Sequence, residues 1–243
     1  MWFLNGLRER IRAVIGLGVG AFLLLCFGAF LAFVISPRQA LEWRRVNNLP
    51  QLDAEAYAAL PAGEEALITG TLQGNQALTD DGLVAYIREI WEVEPPDPDS
   101  ESEEPKGAWR LEEKAAPALT IAISGGTVIT VPNADPSFAG NLHETLATGP
   151  GPLSARDGDR SLPDGSVRTR GFRDGDLITV LGRKASTGDL IPERLFAGDR
   201  VQLVEHIQSG ARAAFTAGLV MIACAPLVLI GGTLAILFGR RRR

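Results

Sequence analysis

Few side chains in this 243-residue chain are of the types that carry out chemistry, and they are scattered. His143 and His206 are its two histidines, and neither is arranged with a nucleophile in a recognisable catalytic pattern. His143 falls in a long stretch rich in Gly, Pro and Asp, and His206 falls in a segment that leads to an apolar run. We therefore expect structural roles for both, and we predict no catalytic, cofactor-binding or metal-ligating residue and no cofactor.

Two short patterns resemble parts of ligand-binding loops without completing them. Asp157-Gly158-Asp159 is similar to half of a calcium loop, but the twelve-residue pattern with Gly at position six and Glu at position twelve does not follow. The glycines near 149–151 are not joined to a Lys in a phosphate-binding motif. Because no constellation points to a reaction, the sequence predicts a protein that is not an enzyme.

The two cysteines, Cys26 and Cys224, lie inside two uncharged apolar runs, residues 13–35 and 213–238. Each run reaches the roughly 20 residues that cross a hydrocarbon core about 30 Å thick. The sequence therefore predicts a transmembrane helix near each end of the chain. A buried core helix is the alternative, which uncharged runs of this length disfavour.

A cleaved signal peptide is a second alternative for the first run. Signal sequences have an apolar region of about 7–15 residues that ends at a small-x-small site. The run at 13–35 is longer and ends in Val34-Ile35-Ser36-Pro37. These features favour a retained membrane anchor.

The charges outside the two runs predict the orientation in the membrane. The tail 1–12 carries three arginines and one glutamate, and the tail 239–243 carries four arginines. Short Arg-rich flanks stay in the cytoplasm, and two spans place both ends on one side. We therefore expect both tails to be cytoplasmic at a plasma membrane, with segment 36–212 outside. The reverse orientation is the alternative, because four arginines of the segment also lie near the runs.

Segment 36–212 contains 17 basic and 28 acidic residues, a net charge of −11. This acidic balance argues against nucleic acid as a partner. The whole chain has 21 Arg against 3 Lys, which suggests a GC-rich bacterial genome. The partners that we expect are the lipid bilayer and an unknown protein, with a homo-oligomer as an open alternative.

The middle segment is typical of a mainly β domain. Asp53 begins a short capped helix over 53–63, and the pattern then changes to β-branched and aromatic runs that end at Gly or Asp turns. The fold class that we predict is two transmembrane α-helices flanking a mainly β (α+β), small barrel-like extramembrane domain. The predicted strands cover residues 66–72, 83–94, a hairpin over 119–131, 177–181 and 190–196.

Two parts of this domain lack a strand pattern. Residues 94–107 hold four prolines and six acidic residues, which is typical of a disordered acidic loop. A role for this loop in binding cations or a basic partner remains an alternative. The stretch 132–171 is rich in Gly, Pro and Asp, and we predict no element within it.

Helical spacing continues beyond both apolar runs. Residues 39–46 follow the first run as a helix, and a helix from Asp199 runs directly into the second. Small residues four apart predict close, antiparallel packing of the two helices, within one chain or between chains. The alternative is that small residues are simply common in membrane helices. The pairs are Gly16 and Gly20, Gly28 and Ala32, Ala214 and Gly218, and Gly231 and Ala235.

Four segments together resemble the GIDE-type domain, also called Beside A Membrane (BAM), of mitochondrial membrane ubiquitin ligases and bacterial proteins of similar layout. Their order and spacing agree with that family over roughly residues 50–240, as do the two flanking runs. The segments are residues 53–74; 85–88 (AYIR), similar to V-Y-Y-R; Trp109 with 117–131, similar to a W…P-F-L-L-D-x-x-G-x-V-x-V hairpin; and 174–182 (DGDLITVLG), similar to L-x-x-G-D-x-V-x-V-x-G.

The ligases of this family carry a zinc-binding RING domain after the second span, which needs clustered Cys and His ligands. Here Gly239 and four arginines follow the second run, so the resemblance does not imply ligase activity. We expect a non-catalytic membrane-anchored protein that presents a partner-binding or assembly domain at the outer face of the membrane. The alternatives are an accessory subunit of a membrane complex or transporter that acts through its helices, and an enzyme with an unrecognised site.

Overall fold

The computed structural model describes residues 2–96 and 104–238. It contains two compact units. The helical unit comprises the described residues up to Asn48 together with those from Val204 onward, and the β unit is Leu49–Leu203. Two long apolar helices thus flank a mostly β domain, as the sequence predicts. The β unit is shorter than the segment 36–212, because residues 36–48 and 204–212 belong to the helical unit.

Four α-helices and twelve strands make up the described chain. The helices are α1 (Trp2–Phe30), α2 (Ser36–Asn48), α3 (Ala54–Ala59) and α4 (Arg200–Phe238), with a π-helical turn, Leu31–Ile35, between α1 and α2. The strands are β1 (Glu65–Leu72), β2 (Leu83–Glu94), β3 (Lys106–Ala115), β4 (Thr120–Ile123), β5 (Gly126–Ile129), β6 (Ser137–Gly140), β7 (His143–Ala147), β8 (Ser154–Asp157), β9 (Arg160–Pro163), β10 (Val167–Arg173), β11 (Leu177–Lys184) and β12 (Leu190–Ala197).

The π-helical turn precedes a proline. Pro37 has no N–H, and its ring crowds the carbonyl group four residues earlier in an α-helix. The Ser36 N–H donates to the carbonyl oxygen of Leu31, five residues back, which widens the helix just before Pro37. α1 and α2 therefore continue one another through a wider turn. Helical stretches Arg12–Asn48 and Arg200–Ala235 are long and apolar enough to cross a membrane.

The two long helices contact each other through small residues in the helical unit. A Cβ on Gly28 would lie 2.8 Å from the carbonyl oxygen of Gly218, and a Cβ on Gly218 would lie 2.7 Å from the Ala32 nitrogen. These distances leave no room for a larger side chain. The predicted pair of Gly28 and Ala32 therefore lies in an antiparallel contact with Gly218, within one chain.

The outer glycine pairs do not take part in this contact. A Cβ on Gly16, Gly20 or Gly231 would meet no atom within 4 Å. A Cβ on Gly232 would instead lie 2.6 Å from Leu17. The prediction for these pairs was wrong because neighbouring helical residues point about 100° apart, so Gly232 and not Gly231 faces α1.

The β unit contains two open sheets and a hairpin. The six-stranded first sheet has the order β5-β4-β1-β11-β12-β6, and the four-stranded second sheet has the order β3-β2-β10-β7. Strands β8 and β9 form the separate hairpin. The expected small barrel is not present in the part of the chain that the structure describes. A barrel requires the two end strands of a sheet to pair, and here the end strands of each sheet stay apart.

Apolar side chains from both sheets meet in one core. Ile68 and Ile178 come from the first sheet, and Val84 and Phe172 come from the second. The Phe172 ring is fully buried and meets the Phe138 ring edge-on, with centroids 5.2 Å apart. The core therefore joins the two sheets into one body.

Helix α3 is fixed at both ends. The Asp53 carboxylate accepts a hydrogen bond from the Ala56 N–H at 2.8 Å, as its predicted N-cap role requires. At the other end, Lys184 Nζ donates to the carbonyl oxygens of Tyr57, Ala58 and Leu60, at 3.0, 2.7 and 2.8 Å. A cation is favourable at a helix C-terminus, where the carbonyl groups are otherwise unpaired.

Several predicted strands are confirmed, and others were missed. The predicted runs agree with β1, β2, the β4–β5 hairpin, β11 and β12, and the bounds of β2 are those predicted. The stretch 132–171 was wrongly predicted to lack elements, because its strands are short and, apart from those of the β8–β9 hairpin, pair with partners remote in the sequence. The missed strands are β3 and β6 to β10.

The acidic loop is shorter than predicted at both ends. The β2–β3 ladder includes the pair Glu94 and Lys106 and the pair Val93 and Gly107. The centre of the predicted loop, residues 97–103, lies outside the described residues.

Candidate functional site

A row of polar side chains crosses one face of the second sheet. In the register of the sheet, Thr145 on β7 lies opposite Thr169 on β10, which lies opposite Arg88 on β2. Arg88 in turn lies opposite Glu113 on β3. Directly opposed residues point to the same face, so these four side chains, here called the polar row, line up across all four strands.

Charge pairing orders the β2–β3 end of the polar row. Arg88 Nη1 lies 3.5 Å from Glu113 Oε2, and the Tyr86 hydroxyl donates to Glu113 Oε1 at 2.8 Å. The pKa of Tyr86 is raised, first by burial and to a smaller extent by the neighbouring Glu113 carboxylate. The Arg88 guanidinium lies 5.7 Å from the centre of the Tyr86 ring. Both charged groups of the pair remain partly exposed, which leaves hydrogen-bonding capacity towards a partner.

A groove of about 450 Å³ follows the polar row. Arg88, Thr145 and Thr169 line it together with Asp81 and Glu112. The groove reaches β7, which pairs with β10 and, among the described residues, with no other strand. On every second residue of β7, the backbone N–H and C=O groups therefore point away from the sheet, as at any sheet edge. The site offers donors and acceptors of both charges beside an open strand edge.

The opposite face of the same sheet is held together by its own charges. The Glu89 carboxylate accepts from Arg168 Nε at 3.0 Å and from Arg170 Nη2 at 2.9 Å. The Arg168 guanidinium also lies 4.2 Å from the centre of the Trp109 ring. These groups are mostly buried, and a buried carboxylate shared by two guanidiniums is a structural arrangement.

The sequence Asp157-Gly158-Asp159 forms the turn of the β8–β9 hairpin. Gly158 has a φ of +59°, which two-residue hairpin turns require. The Asp157 carboxylate accepts a hydrogen bond from Trp109 Nε1 at 3.0 Å, and Trp91 packs beside Trp109 with ring centroids 5.0 Å apart. The partial similarity to a calcium loop is therefore explained by a turn that holds the hairpin on two tryptophans.

The two histidines belong to different units. His143 belongs to strand β7, not to a loop as predicted, and its Nε2 lies 3.1 Å from Asp176 Oδ1. The other oxygen of Asp176 accepts from the Arg173 N–H at 2.7 Å, so this carboxylate stabilises the turn before β11. His206 lies on α4. Within the described ranges, no group of three or more His, Cys, Asp and Glu residues is placed to hold a metal ion.

Sequence reasoning did not find the polar row. The one available signal was Arg88, the single basic residue of the predicted strand 83–94, which also carries three glutamates. Thr145, Thr169 and Glu113 belong to strands that the sequence pattern does not reveal, so their alignment with Arg88 could not be foreseen.

Comparisons of the chain with protein-family models, with curated proteins and with solved structures found no match. The resemblance to the GIDE-type domain therefore stays a prediction.

Proposed function

We propose that this chain spans a bacterial plasma membrane twice and presents its β unit outside the cytoplasm. The β unit acts there as a non-catalytic module that binds a protein partner or supports an assembly. Its resemblance to the GIDE-type domain is part of the same proposal.

The exposure of the two apolar helices carries the proposal. Phe22 and Phe33 on the first helical stretch are 65% and 66% exposed, and Leu227 on α4 is 68% exposed. Each such side chain would cost about 1.5–3 kcal/mol in water relative to an apolar environment. Continuous apolar surfaces of this length are stable in lipid, where they face hydrocarbon chains.

The basic tails support the orientation. Arginine-rich flanks remain in the cytoplasm, while a long acidic segment crosses largely regardless of its charge. Both ends of the chain are therefore assigned to the cytoplasm, and the β unit to the opposite side.

The groove along the polar row is the surface that we assign to the partner. An extended peptide could add to the free edge of β7 through main-chain hydrogen bonds. Thr145, Thr169 and Arg88, which line the groove beside this edge, would then contact its side chains. This mode suits a binding function, since it needs hydrogen-bond donors and acceptors and no reactive group.

Reporter fusions test the membrane topology. An enzyme that is active only outside the cytoplasm should be active when inserted within residues 97–103 and inactive when fused after Arg243. The opposite pattern would reverse the orientation. Release of the intact chain by alkaline carbonate would contradict membrane integration.

Crosslinking in cells tests the partner surface. A photoactivatable residue in place of Ala147, an exposed residue that lines the groove on the same face as Thr145, should give a discrete adduct, and Arg88→Ala should reduce the adduct. The matched control is Ile129, which is also exposed but lies on the end strand β5 of the other sheet. Adducts of equal yield at both positions, or none at position 147, would contradict this assignment. An adduct of twice the chain mass would identify a second copy as the partner.

A further inference from the structure

A groove between α2 and α4 in the helical unit combines two arginines with apolar and aromatic side chains. Its volume is about 260 Å³. The residues that define its chemistry are Ala40, Trp43 and Arg44 from α2 and Ala211, Arg212 and Phe215 from α4.

The floor of the groove is tightly closed. Ser36, which also lines it, donates its hydroxyl hydrogen bond to the carbonyl oxygen of Ala211 at 3.1 Å. Ser36 and Ala211 are both buried, so the two helices are in direct contact beneath the groove. The cleft is therefore a shallow channel on the surface of a packed helix pair.

The two arginines carry uncompensated charge. Arg44 and Arg212 come from different helices, and both are exposed. Among the residues that the structure describes, neither guanidinium forms an ion pair with a carboxylate. Two guanidinium groups beside one cleft provide planar donors that match phosphate oxygens.

Apolar and aromatic side chains line the rest of the groove. Phe215 is exposed next to Arg212, and Ala40 and Ala211 keep the floor low. Trp43 forms part of the wall, and its indole Nε1 has no hydrogen-bond partner among the described residues. Tryptophan is enriched at the headgroup level of a bilayer, and arginine side chains near helix ends extend to that level.

The position along the chain agrees with this chemistry. Arg212 directly precedes the uncharged run 213–238, so it marks the border between hydrocarbon and headgroups if the chain spans a membrane as proposed. Phe215 lies one helical turn to the hydrocarbon side of Arg212, whereas Arg44 lies two turns beyond Ser36 on the headgroup side. Charge and apolar surface are thus ordered along the groove as they are in a phospholipid.

We infer that this groove binds one anionic glycerophospholipid of the outer leaflet. Its phosphate is held by Arg44 and Arg212, and the upper part of one acyl chain lies over Ala40, Ala211 and Phe215. The inference rests on the proposed membrane anchoring, and it adds a specific ligand to it.

Native mass spectrometry of the full chain tests the inference. The chain is reconstituted in nanodiscs that contain phosphatidylglycerol and phosphatidylcholine in equal amounts and is then released in detergent. The wild-type chain should retain phosphatidylglycerol selectively. Arg44→Gln combined with Arg212→Gln should weaken this retention roughly tenfold, because each basic residue contributes to the attraction of anionic lipid. The control, Arg38→Gln combined with Arg45→Gln, removes the same charge from arginines of α2 that do not line the groove, and it should retain the lipid.

The outcomes separate the groove from general attraction and from a site for free phosphate. Equal loss in both double variants, or equal retention of phosphatidylcholine, would overturn the lipid site. Displacement of the lipid by millimolar inorganic phosphate would also overturn it, since a free anion would then be sufficient. If alkaline carbonate releases the chain from membranes, the membrane proposal fails as well. If the chain stays in membranes but shows no selective retention, only the lipid site fails.

Discussion

The two units of this protein treat the same kind of side chain in opposite ways. In the β unit Phe172 is 0% exposed and lies in the core between two sheets, whereas Phe33 in the helical unit is 66% exposed. Burial of apolar surface provides the stability of the β unit in water. The helical unit keeps its large apolar side chains outside and places small ones at the helix contact. The two units therefore place their large apolar side chains differently, inward in the β unit and outward in the helical unit.

Glycine shows the same contrast. In the β unit Gly125 adopts a φ of +83° in the β4–β5 turn, where a side chain would be strained. In the helical unit Gly28 has ordinary helical geometry, and its lack of a side chain allows the backbone of α4 to come close. One unit uses glycine for backbone freedom, and the other uses it for close packing.

The largest expected effect comes from truncating one phenylalanine in each unit. Phe172→Ala should lower the free energy of unfolding of the β unit by about 3–5 kcal/mol, because it leaves a cavity in the core. Phe33→Ala should leave this free energy unchanged. The measurement is denaturant unfolding of the full chain in detergent, followed by tryptophan fluorescence. Equal losses in both variants would remove the contrast between the units.

A smaller effect is expected from filling the helix contact. Gly28→Leu should destabilise the helix pair by about 1–3 kcal/mol, because the new side chain meets the α4 backbone. The matched control is Gly20→Leu, which adds the same side chain where a Cβ meets nothing within 4 Å. Disulfide formation between Leu17→Cys and Gly232→Cys, with both native cysteines replaced by alanine, reports on the pairing. If Gly28→Leu leaves the crosslink yield at the level of the control, the contact is not needed for pairing.

The smallest effect is a shift in a titration within the β unit. Burial, followed by the charge of Asp189, raises the pKa of Tyr57 to about 12. In a Tyr86→Phe variant Tyr57 is the single remaining tyrosine, and its ultraviolet absorbance should change with a midpoint near pH 12. The unfolded chain should titrate near pH 10. A midpoint near 10 in the folded protein would show that water solvates the Tyr57 hydroxyl.

The sign of this shift also predicts how stability depends on pH. The folded chain holds the Tyr57 proton to higher pH than the unfolded chain does. Its contribution to stability is therefore complete below pH 10 and is lost as the pH rises through about 12. Replacing Tyr57 by Phe should remove this part of the alkaline destabilisation.

Local patterns in the sequence determined much of the architecture. The two uncharged runs predict the long helices, and Asp53 and Asp199 mark where α3 and α4 begin. The alternation and β-branching of residues 83–94 and 177–181 predict β2 and the centre of β11. These features could be read directly because helix caps, helical spacing and strand alternation depend on neighbours a few residues away.

Only the tertiary structure decided the rest. Strand β7 exists because it pairs with β10 more than twenty residues later, and neither strand has a strong pattern of its own. The polar row aligns Arg88 with Thr169 and Glu113 through the register of separate strands. Likewise, the contact of Gly28 with Gly218 depends on which faces of two helices meet. Pairing partners, register and helix rotation are set by contacts distant in sequence, which local propensity does not encode.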